Sequence, residues 1–238
     1  MKKLCALIIF FLSASEALAQ DNDRPRVDVA FSVSSLGFGG QIAKPLARRS
    51  DIRGGFNFYS YGTDFTKDGA HYAEDVDLQS VNLQYDKYLY AGLFISGGAL
   101  VWNGNKGNGD VSIPAGQSFS LGTKTYISDP SNPVHGTSEV RVNKFAPLVT
   151  LGYGNLISKG RIAYSFEGGV VFHGTPQATL SLTGGACFGV PAGLICQDIG
   201  SNAGIQNDVA AQQTKINNDI SGYKYYPIIQ FMIGYKFK

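Results

Sequence analysis

Between Ile229 and Phe237 the chain places Ile229, Phe231, Ile233, Tyr235 and Phe237 at every second position, with Gln230, Gly234 and Lys236 among the residues between them. A period of two is the repeat of an extended strand with one apolar face. The pattern recurs along the chain. Phe145, Val149, Leu151 and Tyr153 alternate with Ala146, Thr150 and Gly152, and Ile162, Tyr164, Phe166 and Val170 alternate with Ala163, Ser165, Glu167 and Gly169. Both runs are about ten residues long, the length that a tilted strand needs to cross a bilayer. Ile52, Phe56 and Phe58 alternate with Arg53 and Asn57, Val81, Leu83 and Tyr85 with Ser80, Asn82 and Gln84, and Leu93, Ile95, Ala99 and Val101 with Ser96 and Gly98.

The chain opens with Lys2-Lys3, an apolar run from Leu4 to Leu12 and the small-residue site Ala17-Leu18-Ala19, which together read as a cleaved secretory signal over residues 1–19. Residues 20–238 form the single expected domain. No cysteine follows the cleavage site to accept a lipid. Losing Lys2, Lys3 and Glu16 leaves 18 basic and 17 acidic residues, a formal charge of +1. A near-neutral chain without a basic patch is not the composition of a nucleic-acid binder. Thirty glycines, 13 tyrosines and 15 phenylalanines in a chain only 16% charged are unusual for a soluble domain, yet no later stretch is apolar for long enough to be a membrane helix. Alternating strands reconcile the two observations, since each hides its lipid face in a sequence of average polarity.

The first stretch changes phase: Val27, Val29, Phe31 and Val33 share one parity, and Leu36, Phe38 and Ile42 share the other. Either a bulge or a tight hairpin at Ser34-Ser35 produces such a switch. The hairpin is chosen because it brings the strand count to eight, and single-chain barrels have an even number. Links near residues 47–50, 86–92 and 155–160 are short, and those at 62–75, 103–143 and 174–222 are long. Short periplasmic turns and long extracellular loops are the habit of transmembrane barrels. Tyr85, Tyr88, Tyr90, Tyr153 and Tyr235 would then lie near the inner membrane boundary, and Tyr225 and Tyr226 near the outer one, as an aromatic girdle does.

The signal, the alternating strands and the terminal Tyr235-Lys236-Phe237 resemble the small outer-membrane β-barrel superfamily, with its OmpA-like and OmpX-like barrels. The resemblance implies an all-β, antiparallel up-and-down transmembrane barrel in the outer membrane of a Gram-negative bacterium. It also implies that Phe231, Ile233, Tyr235 and Phe237 serve as a signal to the barrel-assembly machinery. Two departures stand out: Lys238 follows the terminal aromatic, and Met232 stands where the family often has glycine. Outer-membrane lipids and lipopolysaccharide are the implied surroundings of a monomeric barrel.

Parity turns Asp28, Arg53, Asn57, Asn82, Gln84, Glu167, His173, Gln230 and Lys236 inward. An eight-stranded barrel is just wide enough to be filled by side chains. Arg53 and Glu167 are therefore expected to pair with opposite charges, since a lone buried ion is costly. A narrow porin-like conducting path is the alternative. Some lipid-modifying barrels use a histidine, a serine and an acid at the outer rim. Here His173-Gly174-Thr175 lies at a strand end, but Glu167, six residues below, is roughly 20 Å away at about 3.3 Å per residue. No catalytic residues are assigned, and His71 and His135 lack a neighbouring nucleophile. The histidines and cysteines have no metal-ligand spacing, and no cofactor is expected.

Cys187 and Cys196 lie in the last long link, where an even pair in an exported chain reads as a disulfide. Further along, Val209, Ile216 and Ile220 fall at helical spacing within an Asn- and Gln-rich segment, either a short helix over the barrel mouth or a polar loop. Residues 118–127 read as a small hairpin. A structural or surface-interaction role carried by the long loops is the function expected.

Overall fold

Every period-two segment forms a strand in the computed structural model, which describes residues 27–67, 69–154, 160–190 and 193–237. In chain order these are β1 (Val27–Ser34), β2 (Gly37–Ala47), β3 (Ser50–Lys67), β4 (Ala70–Tyr90), β5 (Leu93–Asn103), β6 (Lys106–Ile113), β7 (Ser118–Leu121) and β8 (Lys124–Ser128). They continue with β9 (Val134–Arg141), β10 (Ala146–Gly154), β11 (Ile162–Phe172), β12 (Gln177–Thr183), β13 (Gly185–Val190), β14 (Gly193–Asp198), the helix α1 (Ala203–Ile220) and β15 (Tyr225–Phe237). The expected signal segment and the link at 155–159 lie outside the described residues.

Strands β1 to β5, β10, β11 and β15 pair in that order as antiparallel neighbours. Pairing of Val27 with Phe237 and of Ser34 with Gln230 closes the ring between the first and last strands. The result is an eight-stranded up-and-down transmembrane barrel. Its outer surface carries Val29, Phe31, Ile42, Phe56, Leu83, Ile95, Leu151, Phe166, Ile229 and Phe231, all exposed, which is the face that a bilayer covers. One end carries the turns at residues 48–49 and 91–92 together with both ends of the ring, and is called here the turn end. The opposite, loop end carries residues 104–145 and 173–224.

Three expectations are corrected. Residues 62–75 are not a loop, because β3 and β4 pair without a register break from Ser50↔Lys87 to Lys67↔Ala70. The hairpin at the first phase switch does form, but it is a short turn at the loop end, and Leu36 within it does not join the outward face of Phe38 and Ile42. It turns into the lumen, packed with Leu100, Ala146, Leu148, Val171 and Ile228. Tyr88 and Tyr226 are not girdle residues. Tyr88 is buried on the lumen side against Phe94 and Ala163, and Tyr226 packs on the Leu36 cluster with its hydroxyl donating to the Ser35 carbonyl at 2.6 Å. Tyr90, Tyr153, Tyr225 and Tyr235 are exposed.

Beyond the ring, β5 leaves β4 near Asn103 and β6 takes its place, pairing from Asp77↔Lys106 to His71↔Ser112. β9 and β12 then extend this outer sheet. A second sheet, in the order β14-β13-β8-β7, includes the hairpin expected over 118–127. The two sheets and α1 enclose Ile113, Leu121, Tyr126, Val134, Leu182, Ala186, Ile199, Ile205 and Val209, so the long links build a folded cap with an apolar core of its own.

Candidate functional site in the lumen and cap

Inward parity on six strands brings one guanidinium to the centre of the barrel. Arg53 Nη1 and Nη2 donate to the two oxygens of Glu167, each at 2.8 Å, in the forked geometry that arginine and carboxylate share. Nη2 also donates to Gln84 Oε1 at 3.0 Å and to Asp86 Oδ1 at 3.3 Å, and Nε lies 3.1 Å from Asp86 Oδ2. Met232 Sδ accepts from Nη1 at 3.2 Å, and the Phe94 ring centroid lies 5.9 Å from Cζ. Thr150 Oγ1 donates to Glu167 at 2.8 Å. Gly152, paired with Glu167 in register, leaves room for this cluster, because a Cβ there would meet the Phe94 ring at 2.4 Å and Glu167 Cβ at 2.9 Å. Arg53 is 1% exposed, so an ion in this position depends on its partners.

The remaining inward polar residues fill the space above and below. Gln41 and Asn82 exchange amide hydrogen bonds at 3.3 Å, and Asn57 donates to Ser80 at 3.4 Å. Gln230 and Lys236 are buried on the lumen face of β15, and Lys236 stands opposite Asp28 in register. His173 is buried just past the end of β11, and among the described residues its Nδ1 has no hydrogen-bond partner. On the opposite face of β15, Phe231, Ile233, Tyr235 and Phe237 are exposed. Asp86 is the central residue that sequence reasoning missed, because it fell in a segment read as a turn. Extending the alternation of Asn82 and Gln84 by one step would have found it.

In the cap, a disulfide joins Cys187 to Cys196, which face each other across β13 and β14. The helix over 203–220 forms, but its buried anchors are Ile205 and Val209, with Ile216 and Ile220 only half-buried. Its amide-rich composition has a geometric use. Asn217 accepts from the Ala178 amide at 2.7 Å and donates to the Ala178 carbonyl at 3.1 Å, while Gln213 accepts from the Leu180 amide at 3.0 Å. These side chains satisfy the free edge of β12, which would otherwise invite another strand. One turn earlier, Gln212 accepts from the Gly122 amide at 3.1 Å, and Asp208 accepts from Tyr126 at 2.5 Å and Lys124 at 3.0 Å. Those two donors hold the Asp208 carboxyl below its ordinary range, and burial first, then the carboxylate, pushes the Tyr126 hydroxyl up to about 12.

The fold has solved counterparts. The chain superimposes on the crystal structure of Acinetobacter baumannii CarO with a TM-score of 0.53 and 20% identity, over 90% of this chain and 98% of that one. Acinetobacter baumannii CarO2 gives a TM-score of 0.55 and 18% identity, over 90% and 99%. The likeness is one of fold. No family model matches the sequence, and no curated protein matches it. The matched structures thus support a barrel fold like that of CarO. The narrower affinity with OmpA-like or OmpX-like barrels has no support from them.

Proposed function

We propose that this chain is an integral outer-membrane protein of a Gram-negative bacterium, with a closed barrel as anchor and a folded cap as the surface that acts outside the cell. One observation carries the reading: the lumen is packed with its own side chains while the long links spend their sequence on a second core. The apolar layer around Leu36, Leu100, Leu148 and Ile228 lies in the same lumen as the Arg53 ion network, and a continuous aqueous path would need both to open. In this reading Phe231, Ile233, Tyr235 and Phe237 present their side chains to lipid and, during insertion, to the assembly machinery. The exposed apolar belt meets membrane lipids, with lipopolysaccharide around the cap.

Catalysis is not part of the proposal, because among the described residues no carboxylate bonds His173 Nδ1 to orient it. The competing channel reading is tested by reconstituting the protein in planar bilayers. Absence of stable conductance steps is the expected result, and steady ion steps would replace the anchor with a pore. Limited proteolysis of intact cells checks the orientation, with cleavage expected in the cap and not at the 48–49 turn.

A further inference from the structure

The lumen changes character along its axis. Toward the loop end it is sealed by the apolar layer of Leu36, Leu100, Leu148, Val171 and Ile228. Toward the turn end it is acidic. Among the described residues, the carboxylates buried in the lumen are Asp28, Asp51, Asp86 and Glu167, and the Arg and Lys side chains buried with them are Arg53 and Lys236, four acids to two bases. Glu167 and Asp86 share the Arg53 guanidinium, while Lys236 stands opposite Asp28 in register. One unit of the excess negative charge thus falls on the Arg53 cluster and the other on Asp51.

Asp51 lies directly across from Asp86 in the β3–β4 register, and the two carboxyl groups come within hydrogen-bonding reach of each other. Asp86 is in turn opposite Ser96 on β5, so one inward row carries Asp51, Asp86 and Ser96. Tyr88, the next inward residue on β4, packs on Phe94 and holds its hydroxyl on the lumen side near the same acids. None of these four side chains is more than 4% exposed. Among the described residues, both Asp51 oxygens, Ser96 Oγ and the Tyr88 hydroxyl have no hydrogen-bond partner, and Asp86 Oδ2 faces Arg53 Nε at 3.1 Å without a hydrogen bond. Buried polar oxygens are ordinarily bonded, and buried charges are paired or coordinate a metal. The two hydroxyls can offer hydrogen bonds to the carboxylates, but they bring no positive charge.

We propose that this row is a cation site, at which a divalent ion of the calcium class, entering from the turn end, is held between the Asp51 and Asp86 carboxylates with Ser96 and Tyr88 as neutral oxygen donors. The donors are all oxygens, the set that a hard cation takes, and calcium accepts the irregular geometry that strand positions impose, with water completing its shell. A divalent ion also matches the excess of two negative charges in the lumen. Arg53 does not exclude it, because both Glu167 oxygens already engage that guanidinium. Asp28, on β1, adds attraction from farther off. The exposed Arg48, Arg49 and Lys87 at the rim are screened by water and salt, whereas the buried acids are screened much less.

The test uses the full-length protein in neutral detergent, stripped with a chelator and dialysed against calcium chloride, with bound calcium counted by elemental mass spectrometry. One ion per chain is expected. Asp51→Asn should weaken calcium binding at least about a hundredfold, since it removes a full charge from a buried site. The β3–β4 hairpin exposes acids of its own, so Asp75→Asn with Asp77→Asn is the comparison and should keep the ion. Urea unfolding gives a second reading: calcium should raise the wild-type midpoint and leave that of Asp51→Asn where it was, because only a protein that binds the ion when folded gains from it. Without calcium, Asp51→Asn should be the more stable of the two, having lost an unpaired charge. A wild type that takes up no calcium at about 1 mM has its acids neutralised by protons and overturns the proposal, as does an ion retained by Asp51→Asn. If Asp51→Asn fails to fold, terbium in place of calcium decides. Its emission under tyrosine excitation should fall by more than half in Tyr88→Phe, and unchanged emission overturns the site.

Discussion

Barrel and cap are made partly from the same strands, and along β3 and β4 the two faces exchange their chemistry without a break in pairing. Within the ring the outward residues are Phe56 and Phe58 on β3, with Val81 and Leu83 on β4, and the inward ones are Arg53, Asn57, Ser80 and Gln84. Beyond Phe58 the outward row becomes Ser60, Gly62, Asp64 and Thr66 against Asp77, Asp75, Ala73 and His71. The row continuing the lumen parity becomes Tyr59, Tyr61 and Phe65 against Leu78, Val76 and Tyr72, of which Tyr59, Tyr61, Phe65 and Val76 are themselves exposed. Phe65 and Tyr72 stack at 5.1 Å, and Tyr72 packs on the cap core. Backbone geometry is common to both halves. What changes is the solvent, so the inversion between Phe58 and Ser60 marks where lipid gives way to water.

The sharpest way to break the comparison is to remove the charge at the centre of the barrel. Arg53→Ala leaves Glu167 and Asp86 buried without their cation, and a loss of about 3 to 5 kcal/mol in barrel stability is expected, read from urea unfolding by heat-dependent gel mobility. An unchanged midpoint would mean that the lumen is not held by its ion network. Ile205→Ala takes an apolar anchor from the cap and should cost about 2 to 4 kcal/mol there, seen as faster hydrogen exchange in α1 and β12 while the barrel midpoint stays put. Equal loss in both regions would mean that cap and barrel unfold as one unit.

The smallest effect separates the two by pH. Asp208 is held below its ordinary range, so its contribution is fully present above the unfolded value near 4 and fades as pH falls through the lower folded value. Protection of α1 amides, relative to their intrinsic exchange rates, should therefore fall on going below about pH 4, and Asp208→Asn should abolish that dependence. A wild-type helix equally protected on both sides of that range would remove Asp208 from its support.

Legibility in the sequence follows the same division. The strands of the ring were readable because lipid demands an apolar residue at every second outward position, and Phe145–Tyr153 or Ile229–Phe237 obey that demand over their whole length. The outer halves of β3 and β4 were hidden for the opposite reason. Once water covers the outward face, Asp64, Thr66, Asp75 and Asp77 look like loop residues, although they alternate with Tyr61, Phe65, Tyr72 and Val76. Arg53 and Glu167 were found by parity, yet their meeting across the lumen depends on barrel closure and on the space above Gly152, which no local pattern contains. In the cap, Asn217, Gln213 and Asp208 act through partners 39, 33 and 82 residues away in the chain.

The β3–β4 hairpin also sets a height. From Tyr59 to Lys67 it continues past the apolar belt for nine residues, roughly 30 Å at about 3.3 Å per residue, as an antiparallel pair whose β4 edge is extended by β6 and then β9. The hairpin thus acts as a mast, and its length fixes how far the cap stands clear of the lipid surface. Shortening it by matched pairs, such as Thr63 with Glu74 and Asp64 with Ala73, would lower the cap in steps of two residues while preserving which face each side chain occupies.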